Sequence, residues 1–337
     1  MTGSQHASPP TDLSVVIPVR NEAPALDDLY AELTRTLRGW GGTYEIIMVD
    51  DGSTDESFDI LARLQVLDPR LRVIRFRRHF GQTAAFAAGF DHAAGRLIVT
   101  SDGDGQNDPR DIPRLIEKLE AGHYDIVCGW RKERKDAFLT RLVPSMIANR
   151  LISWATGVQL HDYGCSLKVF RAEVVKPLKL YGEMHRFLPA IASEQGVAIA
   201  EEVVSHRPRR HGTSNYGISR TVRVVLDLLT VKFLLSYSTR PLQIFGVIGL
   251  AMGVLGVAIT GYLAYVRLMG EQAIANRPLL FLGGLLILSG LQLVTLGLVA
   301  ELQARTYHES QNKPTYAIRE IREGVPSAPE PREYHRV

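Results

Sequence analysis

Residues 44–55, YEIIMVDDGSTD, carry the pattern that decides the fold. An apolar run typical of a buried strand ends in two carboxylates and a Gly-Ser turn, and a helix is predicted from about 56 to 67. The same alternation surrounds this stretch, with strands at 13–17, 71–76, 96–102 and 124–130 and helices at 25–37, 83–95 and 111–122. This alternation predicts an α/β domain on a mainly parallel sheet with helices on both faces.

The composition argues against several classes of protein. A net charge of +3 and a charged fraction of 22% are ordinary, and there is no zinc-finger spacing, RNA-binding signature or long basic run, so we expect no nucleic-acid partner. Two cysteines, Cys128 and Cys165, argue against a disulfide framework and indicate a reducing compartment. Each is predicted to be a small buried hydrophobe.

Two long uncharged runs lie in the last third of the chain. No charged residue occurs at 241–266 or at 278–300. Each run exceeds the roughly 20 residues that a helix needs to cross a bilayer, so two transmembrane helices are predicted. Small residues that would let them pack closely are Gly249, Gly253, Gly283, Gly284, Gly290 and Gly297.

The flanks of these runs predict the orientation. Basic residues precede the first run (Arg220, Arg223, Lys232, Arg240) and follow the second (Arg305, Lys313, Arg319, Arg322). The polar N-terminus lacks a signal-peptide pattern. We therefore expect both termini and the α/β domain to be cytoplasmic, at the inner (plasma) membrane.

The chain is predicted to comprise five segments. They are a disordered N-terminus (1–11), the α/β domain (12–217), an amphipathic helix (218–240), the transmembrane pair (241–305) and a partly disordered cytoplasmic tail (306–337). The apolar stripe of the amphipathic segment is typical of a helix in the lipid headgroup region. Docking on the α/β domain is the alternative.

Polar side chains follow three of the predicted strands. Asn21 and Glu22 follow the first, Asp50 and Asp51 the second, and 102–104 the fourth. Ligands bind at the carboxyl ends of the strands in such sheets. A carboxylate after the second strand can accept a hydrogen bond from a nucleobase imide or a ribose hydroxyl.

Helix capping is the plainer reading of that second cluster. Ser53, Thr54 or Asp55 could start the following helix, but capping does not explain Asp50.

The stretch VTSDGDGQNDP (99–109) is the strongest candidate for a metal site. An EF-hand is excluded, because Asn107 and Pro113 stand where the glycine and the bidentate glutamate must be. Asp102 and Asp104, with Gln106, present hard oxygen ligands on a turn that the intervening glycines permit. This set suits Mg²⁺ or Mn²⁺ that also binds a diphosphate. Asp108 is predicted to cap the next helix.

Four stretches together resemble the family 2 glycosyltransferases of GT-A (Rossmann-like) fold: SVVIPVRNE (14–22), EIIMVDDGSTD (45–55), RRHFGQTAAFAAGF (77–90) and SDGDGQNDP (101–109). DYGCSLKVFR (162–171), HGTSNY (211–216) and the two apolar runs narrow the resemblance to the polyprenyl-phosphate glycosyltransferases. These include dolichol-phosphate mannose synthase, O-antigen glucosyl transferases and undecaprenyl-phosphate formamido-arabinose transferase. The last is the most similar, through D-Y-G-C and residues 304–316. The resemblance covers about residues 12–318.

The resemblance implies a role for each matching position. Pro18, Asn21, Glu22, Asp50 and Asp51 would line the nucleotide pocket, and Asp102, Asp104 and Gln106 would hold the metal and the diphosphate. Asp104 and Asp162 would be the catalytic residues. Arg131, Arg141 and Ser145 would bind the acceptor phosphate, and Arg209 the donor. Whether Asp162 is a general base or only orients the sugar or the acceptor stays open, because a lipid phosphate is already anionic.

Three positions depart from the family pattern. Arg20 replaces the usual aromatic residue of the first loop, His79 the usual Asn before Phe-Gly, and Asn215 the usual Lys of the 211–216 loop. The last change removes a positive charge from a loop expected to close over the donor. Arg209, Arg210 or Arg20 could compensate.

The implied function is inverting, metal-dependent transfer of a sugar from a nucleotide-sugar, with UDP favoured, to polyprenyl phosphate by a membrane-bound homo-oligomer, expected to be a tetramer. A processive polysaccharide synthase is an alternative. Synthases of that class carry a Q-x-x-R-W stretch, which this chain lacks, and two predicted spans are too few for a typical polymer channel. A catalytically inactive membrane scaffold is another. Intact acidic residues at 102, 104 and 162 count against it.

Overall fold

The computed structural model describes residues 11–132, 153, 157–180, 184–207, 241–270, 278–310 and 315–323. The chain divides into an α/β unit and a helical unit. The helical unit contains 241–310, and the chain then returns to the α/β unit with 315–323. The predicted amphipathic helix at 218–240 lies outside the described residues.

Strands and helices alternate through the first part of the α/β unit, as predicted. The elements are β1 (Leu13–Val19), α1 (Ala23–Trp40), β2 (Tyr44–Asp50), α2 (Ser57–Leu67), β3 (Leu71–Phe76), α3 (Gln82–His92), β4 (Leu97–Thr100), α4 (Ile112–Ala121), β5 (Ile126–Trp130), β6 (Lys168–Arg171), α5 (Ala172–Val175), α6 (Leu188–Ser193), β7 (Ile199–Val203), and, after the helical unit, β8 (Ile318–Arg322). Short 3₁₀ turns cover Pro109–Asp111 and Met184–Phe187.

The strands form one eight-stranded sheet in the order β7-β5-β6-β4-β1-β2-β3-β8. The central strands β4, β1, β2 and β3 are parallel. β6 runs antiparallel to both β4 and β5, and β8 runs antiparallel to β3. The predicted α/β class is therefore confirmed, with a parallel centre inside a mixed sheet. The carboxyl ends of the central strands meet at one edge, where the polar clusters lie.

Apolar side chains fill the space between the sheet and the helices. Four leucines of α1 at helical spacing, Leu26, Leu29, Leu33 and Leu37, are all buried against the sheet. Cys128 and Cys165 are buried free thiols, as predicted. Burial raises the pKa of the Cys128 thiol to about 12, so this residue acts as a core hydrophobe and not as a nucleophile.

The helical unit consists of α7 (Pro241–Gly270) and α8 (Pro278–Ser310). The segments Phe245–Met269 and Pro278–Val299 are long and apolar enough to cross a membrane, with mean hydropathies of 2.0 and 2.2. Only 17% and 11% of their most apolar windows are buried, whereas a core helix of a soluble protein is mostly buried. Exposed apolar surface on this scale suits a lipid environment and indicates a membrane protein.

Glycines bring the two apolar helices into close contact. A Cβ atom at Gly249 would lie 2.6 Å from the carbonyl oxygen of Gly290, and one at Gly256 would lie 2.7 Å from that of Gly283. The predicted role of Gly249, Gly283 and Gly290 in close packing is therefore confirmed. Gly284 faces open space and takes no part in this contact.

Candidate active site

The loops after β1 and β2 are tied to each other. Asn21 adopts a left-handed backbone conformation with φ of 55°, and its Oδ1 accepts a hydrogen bond from the backbone N of Thr54 at 2.8 Å. The backbone N of Asn21 donates to Ser53 Oγ at 3.1 Å. Asparagine suits this position because its short polar side chain tolerates left-handed geometry. Asn21 therefore shapes the predicted nucleotide pocket by joining its two loops.

Two other predicted pocket residues flank this connection. Pro18 lies in β1 opposite Val49 of β2, and its carbonyl oxygen lies 2.8 Å from where a Cβ at Gly103 would stand. Glu22 directly precedes α1, and its backbone N donates to Ser57 Oγ at 2.9 Å. The loops after β1, β2 and β4 thus meet, as the sheet order requires.

The Asp51 carboxylate binds the loop that follows β3. It is 3% exposed, and its carboxylate accepts hydrogen bonds from the backbone N of Phe80 at 2.7 Å and of Gly81 at 3.0 Å. The Nδ1 atom of His79 lies 2.7 Å from the same carboxylate. Asp51 therefore holds the loop between β3 and α3 against the end of β2.

Asp50 differs from its neighbour because one of its oxygens lacks a hydrogen-bond partner. The side chain is fully buried; Oδ1 accepts from the backbone N of Ser53 at 3.1 Å, and Oδ2 makes no hydrogen bond. Arg75 Nε lies 3.6 Å from Oδ2. Burial raises the pKa of Asp50, and the Ser53 hydrogen bonds and the Arg75 charge oppose that rise. Of the two adjacent carboxylates, Asp50 is the one with acceptor capacity to spare.

Two of the three residues that depart from the family pattern, Arg20 and His79, are in contact. Arg20 Nη1 lies 2.7 Å from His79 Nε2, although the residues are 59 positions apart. The guanidinium can only donate, so the Nε2 atom must accept, and the proton of the ring then lies on Nδ1, towards Asp51. Arg20, His79 and Asp51 thus form one hydrogen-bonded chain across the ends of β1, β3 and β2.

Gly52 permits the close approach of these loops. Its φ is 69°, and a Cβ at this position would lie 2.7 Å from the backbone of Arg78 and of His79. Only glycine satisfies both conditions without displacing the loop after β3.

The acidic turn after β4 brings two carboxylates together. Asp102 Oδ1 accepts a hydrogen bond from Gln82 Nε2 at 2.6 Å, and Asp104 Oδ1 accepts from the backbone N of Gln106 at 3.1 Å. Gly105, with φ of 71°, makes the turn possible. Burial and the nearby negative charge of Asp104 raise the pKa of Asp102. A divalent cation between the two carboxylates would offset both effects.

The donor set of this turn fits a cation bound through few protein ligands. Among the residues that the structure describes, no group of three or more His, Cys, Asp or Glu is placed to hold a metal. Two carboxylates without histidine or cysteine suit Mg²⁺ or Mn²⁺, whose other ligands are water and phosphate oxygens.

Asp108 caps the turn before α4, as predicted. Its side chain accepts from the backbone N of Arg110 at 3.1 Å and forms an ion pair with Arg207 Nη2 at 2.9 Å. Burial disfavours the charged form of Asp108, but the hydrogen bonds from Arg110 and Arg207 outweigh it and lower the pKa of Asp108 to about 2. Asp108 is therefore a structural residue beside the acidic turn.

Asp162 and Arg131 form a buried ion pair. Arg131 Nε lies 2.7 Å from Asp162 Oδ2, and Nη2 lies 3.0 Å from Oδ1. The side chain of Arg131 is 15% exposed and that of Asp162 is 4% exposed. Burial disfavours the charge on Arg131, but the hydrogen bonds that its guanidinium donates to Asp162 outweigh this effect and raise the pKa of Arg131. This two-point contact fixes the plane of the guanidinium.

A second layer of contacts supports this pair. Glu201 of β7 accepts from the backbone N of His161 at 2.8 Å and of Asp162 at 3.2 Å. The ring of His161 stacks on Trp130, with 4.2 Å between centroids. Sequence reasoning missed these residues, because β7 lies far along the chain from β5 and nothing local predicts their pairing.

Ser166 connects the acidic turn to the D-Y-G-C-S segment. It hydrogen-bonds with Asp102, lowering the pKa of that carboxyl, and its Oγ accepts from Asn107 Nδ2 at 2.8 Å. The positive charge of Arg131 also acts on Asp102. The structure therefore brings the predicted metal ligands together with Asp162 and with Arg131, one of the three predicted acceptor residues. Arg141, Ser145, Arg209 and Asn215 lie outside the described residues.

Comparison with known proteins identifies relatives of this arrangement. Residues 14–178 match the family described as glycosyl transferase family 2. The chain is 46% identical over 316 residues to the dodecaprenyl-phosphate galacturonate synthase of Rhizobium johnstonii, covering 92% of this chain and 93% of that protein. It is 35% identical over 311 residues to the undecaprenyl-phosphate 4-deoxy-4-formamido-L-arabinose transferase of Edwardsiella ictaluri, covering 92% and 94%. D-Y-G-C and residues 304–316 favour the formamido-arabinose transferase as the most similar protein. The galacturonate synthase in fact shares more identity with this chain, 46% against 35%.

Solved structures share the fold at lower identity. The glucosyl-3-phosphoglycerate synthase of Mycobacterium tuberculosis, solved with Mn²⁺ and uridine-diphosphate-glucose, matches with a TM-score of 0.52 and 19% identity, over 66% of this chain and 79% of that one. The mannosyl-3-phosphoglycerate synthase of Rubrobacter xylanophilus matches with a TM-score of 0.53 and 14% identity, over 66% and 74%. These likenesses confirm the GT-A fold.

Proposed function

Because the chain belongs to the polyprenyl-phosphate glycosyltransferases of glycosyltransferase family 2, we propose that it transfers a sugar from a UDP-sugar to polyprenyl phosphate at the cytoplasmic face of the inner membrane. The observation that carries this proposal is the meeting of the Asp102–Asp104 turn with the Asp162–Arg131 ion pair through Ser166. A leaving diphosphate and an incoming phosphate need such neighbouring sites.

The proposed reaction is a single displacement. An oxygen of the lipid phosphate attacks the anomeric carbon from the face opposite the leaving group, and the bond to the nucleoside diphosphate breaks, so the anomeric centre inverts. The nucleophile is already anionic, and the main task is to bring two anions together. Asp102 and Asp104 would hold Mg²⁺ or Mn²⁺, which supplies positive charge to the departing diphosphate.

Asp162 then acts by positioning Arg131 and not by removing a proton. Both of its oxygens are engaged by the guanidinium, and it is 3% exposed. Arg131, fixed in this way, would offer its remaining N–H groups to the acceptor phosphate. Pro18, Asn21, Glu22 and Asp50 shape or contact the nucleotide in this proposal, and Asp51 holds the loop beside it.

Release of UDP tests the proposal directly. The full chain in nanodiscs is given Mn²⁺, undecaprenyl phosphate and one UDP-sugar at a time, and free UDP is measured. The panel starts with UDP-galacturonic acid, because the relative at 46% identity is a galacturonate synthase. We expect acceptor-dependent UDP release with one donor and a product carrying one sugar. No release with any UDP- or GDP-sugar would favour the inactive scaffold, and products of several sugars the processive synthase.

A further inference from the structure

The segment after the two apolar helices joins the sheet at its β3 edge, one strand away from the strand that ends in Asp50. β8 pairs antiparallel with β3, and Glu320 stands opposite Arg75, which in turn stands opposite Asp50 on β2. These three charged residues therefore form one row across three neighbouring strands. Side chains in directly opposed positions of adjacent strands interact on the same face of a sheet.

Arg75 contacts acidic groups on both sides. Its Nη1 lies 3.4 Å from Glu320 Oε1, and its Nε lies 3.6 Å from the buried Oδ2 of Asp50, which has no hydrogen-bond partner. The guanidinium lies over the ring of Phe58 at 3.8 Å from the centroid. Glu320 also pairs with Arg322 at 3.4 Å, and Arg322 lies over the same ring at 5.0 Å.

We propose that Glu320 is a positioning residue of the donor site, which holds Arg75 against Asp50 so that the Asp50 carboxylate stays a hydrogen-bond acceptor for the nucleotide. The inference rests on the proposed function, since it assigns Asp50 to a nucleotide. Arg75 is 25% exposed and has open water as an alternative to Asp50. Glu320 binds the Nη1 end of the Arg75 guanidinium and so keeps the side chain from turning away from Asp50 into solvent.

The matched control lies on the same segment. Glu323 pairs with Arg72 Nε at 2.9 Å, and Arg72 also lies 3.7 Å from Glu45. This ion pair joins the same two parts of the chain but sits at the far end of β3 from Asp50. Glu323→Gln therefore removes a comparable contact without touching the row of three.

The experiment measures binding of UDP with Mn²⁺ by calorimetry to the full chain in detergent. Glu320→Gln is expected to raise the Kd for UDP about three- to tenfold, while Glu323→Gln leaves it unchanged. The Tm of the two variants should match, and the KM for undecaprenyl phosphate should stay at the wild-type value. In an Arg75→Gln background, Glu320→Gln should have no further effect on UDP binding, because its contact is already lost.

The possible failures are distinguishable. If the wild-type chain binds neither UDP nor GDP, the proposed function fails. If the wild type binds UDP and Glu320→Gln binds it equally well, or if Glu323→Gln weakens binding as much, the positioning role is wrong while the proposed function stands. If Glu320→Gln lowers the Tm, the double variant Arg75→Gln/Glu320→Gln still tests the proposal. Losses of UDP binding that add up in the double variant would show that Glu320 does not act through Arg75.

Discussion

The two halves of the candidate site are built in different ways. The proposed nucleotide half consists of loops that directly follow parallel strands, where backbone N–H groups bind short polar side chains such as Asn21 and Asp51. The proposed acceptor half depends on a buried ion pair between residues 131 and 162, supported by Glu201 of β7. The first half is therefore shaped by loops and the second by charge. Variants of the two halves should fail in different ways.

The largest effect is expected where the two halves meet. Asp104→Asn removes one of the two carboxylates that would hold the cation, and we expect kcat/KM to fall on the order of 10³-fold. EDTA should abolish the activity of the wild type, and excess Mn²⁺ should restore it. UDP release within about tenfold of the wild type in Asp104→Asn would contradict the assignment of this turn to a metal.

Variants of the Asp162–Arg131 ion pair are expected to use the acceptor poorly. Asp162→Asn leaves Arg131 without its orienting partner, so we expect the KM for undecaprenyl phosphate to rise and kcat/KM to fall on the order of 100-fold. UDP binding should be unchanged. Arg131→Gln should behave alike, and the double variant should be no worse than either single one. A fall in kcat of about 10²–10⁴-fold at saturating acceptor would instead indicate a general base.

A structural carboxylate beside the site predicts how stability depends on pH. The pKa of Asp108 is lowered to about 2 in the folded chain, so its ion pairs stabilise the fold above the unfolded pKa of about 3.9, and this stabilisation is lost as the pH falls towards 2. We expect a contribution on the order of 2 kcal/mol. The Tm of the wild type should fall between pH 4 and 2 more steeply than that of Asp108→Asn, by scanning fluorimetry. Parallel curves would contradict this role.

The smallest effect is expected at the departures from the family pattern. His79→Asn restores the usual residue and keeps a donor for Asp51, but the shorter side chain does not reach Arg20. Because Arg20 is exposed, we expect the Kd for UDP to change less than about fivefold. A much larger loss would mean that Arg20 contributes directly to donor binding, and the Arg20→Gln variant should then show the same loss.

The sequence predicts the loop-based half better than the charge-based half. Apolar runs that end in Asn21, Asp50 and Asp102 place these residues at the carboxyl ends of adjacent parallel strands, and the sheet has them there. Local pattern does not separate Asp50 from Asp51. The difference comes from the loop at 79–81, which donates hydrogen bonds to Asp51, whereas Asp50 Oδ2 has no hydrogen-bond partner.

The acceptor half requires strand pairings that local sequence does not specify. β6 inserts antiparallel between β4 and β5, and this insertion brings Asp162 and Ser166 beside Arg131 and Asp102. The family resemblance points to Asp162 and Arg131 but not to their ion pair. β8 escapes prediction for another reason. Its sequence, IREIR, is short and charged, and it lies within the segment predicted to be a partly disordered tail (306–337).

The return of the chain to the sheet has a consequence for biosynthesis. Arg75 and Glu320 are separated by 245 positions, and both segments that are long and apolar enough to cross a membrane lie between them. During synthesis from the N-terminus, β3 therefore waits as an unpaired edge until both apolar helices have left the ribosome. Both apolar helices are therefore synthesised before the eight-stranded sheet can be completed. The sheet that carries Asp50 thus reaches its full width only after both segments long and apolar enough to cross a membrane have been made.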